Sequence, residues 1–139
     1  EHRIEFVREL DGVTYYNDSK GTNPDSSIKA LEAMTKPTLI IAGGYDIHSE
    51  FDGFIDAFGG KVKLMVLIGT TAPQIEKTAR AHGFDNIINT DSLENAVQIC
   101  HDNAVSGDVV LLSPACASWD MFKSYEERGR LFKEYVNRF

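Results

Sequence analysis

The sequence predicts a three-layer α/β fold of the Rossmann-like type, with a mostly parallel sheet and an antiparallel N-terminal hairpin at one edge. Three runs, TLIIAGG, KLMVLIG and DVVLLS, are apolar without alternation, which indicates strands buried on both faces. Segments with apolar residues at helical spacing follow these runs. The length of 139 residues suits one domain, residues 1–139.

The hairpin is the first element, and it joins the segments IEFVREL and VTYYN. Asp11 and Gly12 between them supply the positive φ angles of a tight turn, and Val13 and Tyr15 share one face of the second strand. The first helix then begins at Asn23-Pro24, because asparagine caps a helix and proline suits its first turn.

Capping residues predict where the later helices begin. Ser49 with Asp52 is expected to cap the helix in SEFDGFIDAF, and Asp91 with Glu94 has the spacing of a capping box in DSLENAVQICHDNA. Pro73 fits the first turn of the helix between them. The remaining elements are a short strand, NIIN, and a closing amphipathic helix, YEERGRLFKEYVNRF.

Charge and composition exclude several classes of function. The 14 Lys+Arg against 21 Asp+Glu give a net charge of −7, the wrong sign for a general nucleic-acid binder. No apolar run approaches the roughly 20 residues that span a bilayer, so no membrane partner is expected. The two cysteines lack metal-like spacing, which predicts reduced thiols, a cytoplasmic chain and no metal site. The first residue is Glu1 and not Met, which suggests a domain of a longer protein.

Candidate functional residues are sought after each parallel strand, because ligands of open α/β sheets bind at the carboxyl ends of the strands. The loop NDSKGTN places Lys20 beside the N-terminus of the first helix, a combination that favours an anion site. The alternative is a capped turn with a solvated lysine. In AGGYDIHSEF, Gly43-Gly44 permits either close approach to a ligand or a sharp turn.

The third unusual loop follows the strand DVVLLS and reads SPACASWDMF. The hydroxyls of Ser113 and Ser118 could hold a carboxylate. Trp119, together with Phe122 and Tyr125, is expected in a hydrophobic lid or in the core. Cys116, with no histidine tied to it by sequence, is expected to be structural.

Three nucleotide and nucleophile motifs are missing from the sequence. It contains no G-x-x-x-x-G-K-[ST] phosphate loop, no G-x-G-x-x-G fingerprint and no G-x-S-x-G elbow. If a nucleotide binds, another part of the protein must hold most of its phosphates.

The segments HRIEFV, NDSKGTN, GGYDIHSEF and LLSPACASWDMFKSYEERG, in this order, resemble the C-terminal domain of the Mur ligases, in particular of the members that add D-glutamate. The resemblance implies an ATP-dependent, Mg²⁺-requiring amide ligase of peptidoglycan synthesis, which forms an acyl phosphate on UDP-N-acetylmuramoyl-L-alanine. It also implies N-terminal and central domains elsewhere, with this domain binding D-glutamate and part of the nucleotide and inactive alone.

The same resemblance implies roles for individual residues at the nucleotide. His2, Arg3 and Asp18 are expected to contact the nucleotide, with Arg3 and Asp18 paired. Lys20 is expected beside the transferring phosphate, as the catalytic residue of this domain.

For D-glutamate, the resemblance implies that Thr22 and Ser118 bind carboxylate oxygens and that Tyr125 lies over the same pocket. One position departs from the pattern, because Ile47 stands where these ligases commonly have Lys or Arg. His48 is adjacent and could substitute for the missing cation.

Two other functions are consistent with the residues. A stand-alone flavodoxin-like binding module is one, although Asp18 and Asp46 alone do not make the acidic cluster of a receiver domain. A sister ligase with a different amino-acid substrate is the other.

Overall fold

The computed structural model describes residues 1–46 and 48–139. No helix in this part of the chain has the length and apolar character that crossing a membrane requires. The strands are β1 (Glu5–Leu10), β2 (Val13–Asn17), β3 (Thr38–Ala42), β4 (Val62–Leu67), β5 (Ile87–Asn89) and β6 (Val109–Leu112). The helices are α1 (Pro24–Ala33), α2 (Asp52–Asp56), α3 (Ala72–Ala81), α4 (Leu93–Asn103) and α5 (Tyr125–Asn137).

The six strands form one sheet in the order β1-β2-β6-β3-β4-β5. Five strands, β2, β6, β3, β4 and β5, are parallel to one another. Strand β1 lies at the edge of the sheet and is antiparallel to β2, as predicted. Leu112 at the end of β6 is in register with Asn17 of β2 and with Ile41 of β3. The loops that follow β2, β6 and β3 are therefore neighbours at the carboxyl ends of the parallel strands.

Helices cover both faces of the sheet. Helices α1, α2 and α3 pack on one face, against side chains such as Ile40 and Leu111, and α4 and α5 pack on the other, against Ile41 and Val110. These four side chains are fully buried, which explains why the strand sequences do not alternate. Each such side chain contributes about 1.5–3 kcal/mol through burial.

The predicted hairpin turn and first helix start are confirmed. Asp11 and Gly12 have φ angles of 53° and 80°, as a tight hairpin turn requires. Asn23 caps α1 by accepting a hydrogen bond at 3.0 Å from the backbone N–H of Ser26, with Pro24 in the first turn.

Two capping predictions are wrong. Ser49 donates from its backbone N–H and its hydroxyl to the Asp46 carboxylate, at 2.7 and 2.5 Å, and α2 begins three residues later without a side-chain cap. Helix α4 is capped by Ser92 and not by Asp91. The Ser92 hydroxyl accepts from the Asn95 N–H at 3.1 Å. Serine and aspartate both offer an oxygen acceptor to a helix N-terminus, so Ser92, one residue after Asp91, can serve as the cap.

His82, at the end of α3, connects that helix to α2. Its Nε2 lies 2.7 Å from Asp52 Oδ1, and its Nδ1 lies 3.0 Å from Asp56 Oδ1. The hydrogen bond to Asp52 has the largest effect on the pKa of His82, and together with the bond to Asp56 it raises that pKa above its ordinary value. Both nitrogens face carboxylate oxygens, so the geometry fits the protonated imidazolium.

We expect the stabilisation from His82 to depend on pH. Because the pKa is raised in the folded state, the contribution is complete below the unfolded pKa of about 6.5 and is lost as pH rises through the folded pKa. The difference in unfolding free energy between the wild type and His82→Ala should therefore be largest at mildly acidic pH, where the imidazole is protonated and the two carboxylates are ionised, and shrink above neutrality. In a background carrying Asp52→Asn and Asp56→Asn, the same comparison should show little pH dependence. A difference that is constant with pH in the unmodified background would contradict this assignment.

Candidate functional site

The loops after β3 and β6 are joined by backbone hydrogen bonds. The Gly43 N–H donates to the Pro114 carbonyl at 2.9 Å, and Tyr45 and Ala117 exchange two N–H···O bonds, each of 2.9 Å. Gly43 has a φ of 105°, and a side chain at this position would collide with the backbone of Ile68. The double glycine is therefore required by the close approach of neighbouring backbone, whether or not a ligand binds.

A cleft with two lobes opens at the carboxyl ends of the parallel strands. The two lobes share three lining residues, Thr22, Ala117 and Trp119. The first lobe has a volume of about 430 Å³ and is also lined by Tyr45, Asp46, His48 and Ser49. The second lobe has a volume of about 410 Å³ and is also lined by Ser118, Lys123, Ser124 and Tyr125. The cleft thus receives residues from all three loops that the sequence singled out.

The loop after β2 is fixed from below by a buried polar network around Asp18. The Asp18 carboxylate accepts from the Ile4 N–H at 3.1 Å and from the Ser113 hydroxyl at 2.6 Å. Ser113 in turn lies 2.8 Å from the Ser27 hydroxyl, which accepts from the Ala115 N–H at 3.0 Å. Burial raises the pKa of Asp18, against the opposing effect of its hydrogen bonds. Ser113 therefore positions the loop and is not a residue that lines the cleft.

Gly21 lets this loop pack onto the network. A Cβ atom at this position would lie 2.7 Å from the Asp18 carboxylate and 2.8 Å from the Ser27 hydroxyl. The backbone N–H of Lys20 donates to the His2 carbonyl at 2.9 Å, and the N–H of Thr22 donates to the Lys20 carbonyl at 2.8 Å. The backbone that carries both candidate side chains is therefore held by the protein.

Arg128 of α5 ties the loop after β2 to the loop after β6. Its Nε donates to the Ser19 hydroxyl at 2.9 Å, its Nη2 to the Ser19 carbonyl at 2.7 Å, and its Nη1 to the Cys116 carbonyl at 3.0 Å. The side chain is 1% exposed, and burial lowers the pKa of its guanidinium to about 10. Arg128 thus sets the spacing between the two loops that carry Thr22 and Ser118.

The structure brings the predicted D-glutamate residues together. Thr22, Ser118 and Tyr125 line the second lobe, and His48 lines the first lobe with Thr22. Ser118 is 3% exposed. The departure at Ile47 lies outside the described residues.

The predicted nucleotide residues divide into exposed and buried side chains. Lys20 and Arg3 are exposed, and neither is among the described residues that line the two lobes. His2 and Asp18 are buried, with exposures of 4% and 3%. The expected pair of Arg3 with Asp18 forms no salt bridge in the described structure, and the Asp18 carboxylate accepts from the Ile4 N–H and the Ser113 hydroxyl instead. The Arg3 charge still acts on Asp18, in the direction that lowers its pKa.

His2 is a packed residue at the base of the loop after β2. Its Nδ1 lies 3.0 Å from Asn17 Nδ2, and its ring meets the Tyr125 ring edge-on with centroids 6.0 Å apart. Burial lowers its pKa. The ring lies against Gly129, where a Cβ atom would collide with it. His2 therefore connects α5 to the loop that carries Lys20.

The aromatic residues of the third loop have different roles. Trp119 is 73% exposed and lies against Tyr45, with ring centroids 5.7 Å apart, so it covers the cleft and does not belong to the core. Phe122 is half-buried against the core face of α4 and α5. Cys116 is fully buried, and burial raises the pKa of its thiol to about 12, which supports the structural role.

One group of side chains has the spacing of metal ligands. Potential ligand atoms of Glu1, His2 and Glu5 lie within 4.8 Å of one another. The ammonium of Lys133, however, lies 2.7 Å from Glu1 Oε2 and 3.2 Å from Glu5 Oε2. The ammonium lies between the two carboxylates, so an ion-pair network explains the group.

Comparison with known proteins gives sequence relatives over nearly the whole chain. The family described as "Mur ligase, glutamate ligase domain" matches residues 2–116. The UDP-N-acetylmuramoylalanine--D-glutamate ligase of Lachnospira eligens is 62% identical over 99% of this chain. The chain spans 30% of the length of that relative.

Solved structures show the same fold at low identity. The UDP-N-acetylmuramate-alanine ligase MurC of Thermotoga maritima superposes with a TM-score of 0.66 at 13% identity, over 99% of this chain and 30% of that one. An isolated domain from a Haemophilus ducreyi protein, assigned as a UDP-N-acetylmuramate:L-alanyl-gamma-D-glutamyl-diaminopimelate-type ligase, superposes with a TM-score of 0.61 at 12% identity, over 96% of this chain and 99% of that one. The family match, which covers most of the chain, shows that this protein belongs to the Mur ligase family, as a glutamate ligase domain.

Proposed function

We propose that this chain is the C-terminal, amino-acid-binding domain of a cytoplasmic ligase that adds D-glutamate to UDP-N-acetylmuramoyl-L-alanine in peptidoglycan synthesis. The N-terminal and central domains would belong to the rest of the protein. The proposal rests on the 62% identity with a D-glutamate ligase and on the cleft where three loops meet.

The observation that carries the proposal is the convergence of hydroxyl groups in the second lobe. Thr22 arrives from the loop after β2, and Ser118 arrives from the loop after β6. Both hydroxyls can donate to carboxylate oxygens, and D-glutamate has two carboxylates. Lys20 is two residues from Thr22 and is exposed, so it can face a phosphate held by another domain.

ATP and Mg²⁺ would be bound mainly by the central domain, since this chain has no phosphate loop. ATP supplies the phosphoryl group that activates the substrate carboxylate for attack by the amine of D-glutamate. The role of this chain is to bind and orient the amino acid at Thr22 and Ser118. Lys20 and Arg3 would contact the nucleotide, while buried His2 and Asp18 hold their loop in place.

The two alternative functions are less well supported. The alanine ligase that shares the fold is only 13% identical, whereas the D-glutamate ligase is 62% identical. A stand-alone receiver-like module would need free acidic groups at the strand ends. Asp18 is instead buried in hydrogen bonds, and Asp46 is bound by Ser49.

We expect the full-length enzyme to ligate D-glutamate in an ATP-dependent reaction in preference to L-glutamate, D-alanine and meso-diaminopimelate. Ser118→Ala should raise the KM for D-glutamate about tenfold, because a hydrogen bond to a charged group contributes about 1.5–3 kcal/mol. Ser92→Ala, which removes a hydroxyl from the cap of α4, serves as the matched control. Preference for another amino acid in the wild type would overturn the assigned substrate.

A further inference from the structure

We propose that Lys123 binds the side-chain carboxylate of the amino-acid substrate and so selects a dicarboxylic amino acid. This inference rests on the proposed function, since it concerns the same cleft. Among the described residues that line the two lobes, Lys123 is the one lysine or arginine.

The two lobes differ in charge. The first lobe contains the Asp46 carboxylate, which accepts two hydrogen bonds from Ser49. The second lobe contains Lys123 together with the hydroxyl residues Ser118 and Ser124. In a chain with a net charge of −7, a cationic side chain in the lining favours a carboxylate, and the second lobe supplies Lys123.

The second lobe also contains a residue of low exposure whose hydroxyl has no hydrogen-bond partner among the described residues. Ser118 is 3% exposed, and its hydroxyl makes no hydrogen bond within the described part of the chain, although the residue lines the lobe. This hydroxyl has a donor hydrogen and acceptor lone pairs free for a ligand in the lobe. Ser118 and Lys123 can therefore act on the same carboxylate.

The position of Lys123 is fixed by the start of α5. Its backbone N–H lies 3.3 Å from Glu127 Oε1, and the Glu127 N–H donates to the Ser124 hydroxyl at 3.1 Å. The side chain of Lys123 is exposed and forms no ion pair in the described structure. Ser124 and Tyr125 at the N-terminus of this 13-residue helix line the same lobe, where Glu126 and Glu127 of the first turn offset the positive end of the helix dipole. Lys123 is therefore the group that supplies positive charge to the lining of the lobe.

The chemistry of ligation decides which carboxylate reaches Lys123. The amine must lie near the activated carboxyl group, on the side of Lys20 and Thr22. The α-carboxylate shares a carbon atom with that amine and so lies beside Thr22. Thr22 lines both lobes, and we place the side-chain carboxylate in the second lobe because Ser118 and Lys123 line it.

The test is the KM for D-glutamate of the full-length enzyme carrying Lys123→Met, which keeps length and removes charge. We expect an increase of about tenfold to a hundredfold, the effect of one charge-assisted hydrogen bond, with a smaller change in kcat. D-Glutamine, which lacks the side-chain charge, serves as the neutral probe, and its KM or inhibition constant should change less than twofold. Lys123→Arg should retain most of the affinity for D-glutamate, and the wild-type KM should rise with ionic strength more than that of Lys123→Met.

Lys36→Met is the matched control, because Lys36 is exposed and precedes β3 at the opposite end of the sheet. Equal effects of Lys123→Met and Lys36→Met on the KM for D-glutamate would overturn the proposal while leaving D-glutamate as the substrate. A folded Lys123→Arg variant as defective as Lys123→Met would also overturn it. A wild-type enzyme that ligates another amino acid instead would contradict the proposed function itself.

Discussion

Lys20→Ala in the full-length ligase is expected to lower kcat about a hundredfold to a thousandfold, the effect of removing one preorganised group that stabilises charge in a transition state. The side chain is exposed, while its backbone N–H is bound to the His2 carbonyl at 2.9 Å. The substitution therefore removes the ammonium and leaves the loop in place. Steady-state kinetics should show a loss in kcat with a small change in the KM for D-glutamate.

Lys29→Ala is the control for this variant, because Lys29 is an exposed lysine on α1, outside the lining of the cleft. It should leave kcat within twofold of the wild type. If Lys20→Ala also retains the wild-type kcat, Lys20 does not act on the transferring phosphate.

Arg128→Met should lower the free energy of unfolding by about 2–3 kcal/mol, because it leaves buried acceptors without donors. The acceptors are the carbonyls of Ser19 and Cys116 and the Ser19 hydroxyl. Removing the desolvated charge offsets part of the loss, so the effect is smaller than the sum of three hydrogen bonds. Chemical unfolding of the 139-residue chain measures the difference in unfolding free energy.

Arg128→Met should also raise the KM for D-glutamate in the full-length enzyme, because Ser118 and Thr22 lie on the two loops that Arg128 connects. Arg130→Met is the control, as Arg130 is exposed two residues further along α5. Equal unfolding free energies for the two variants would show that Arg128 does not hold the loops together.

The fold class was predictable because the strand sequences carry a direct physical signal. Consecutive residues of one strand are apolar, such as Ile40 and Ile41 of β3 and the neighbours of Leu111 in β6. A strand buried on both faces requires that pattern. The strand order was not predictable from the same pattern. Insertion of β6 between β2 and β3 depends on tertiary packing, and it is this order that makes the three loops neighbours.

The residues of the cleft were found because they follow strands, but the residues that position them were missed. Arg128 looks like a solvated residue of an amphipathic helix. A signal existed, since Arg128, Phe132 and Val136 recur every four residues, and all three are buried on one face of α5. An arginine on an apolar helical stripe indicates a buried cation that needs acceptors nearby.

The burial of His2 had no comparable signal in the sequence. His2 has a positive φ of 65° and packs against Gly129, a residue 127 positions further along the chain. Such a contact depends on where α5 crosses β2, which local patterns do not specify.

The unexpected acceptor for Ser49 has a local cause instead, because Asp46 three residues earlier competes with the helix end for the same hydroxyl.

A crystal structure of the full-length enzyme with its D-glutamylated product bound is the most direct test of the cleft as the amino-acid site. We expect the carboxylates of the D-glutamyl group to lie within hydrogen-bond distance of Thr22 and Ser118, between the loops that follow β2 and β6. A D-glutamyl group bound elsewhere, with neither hydroxyl in contact with it, would contradict that assignment.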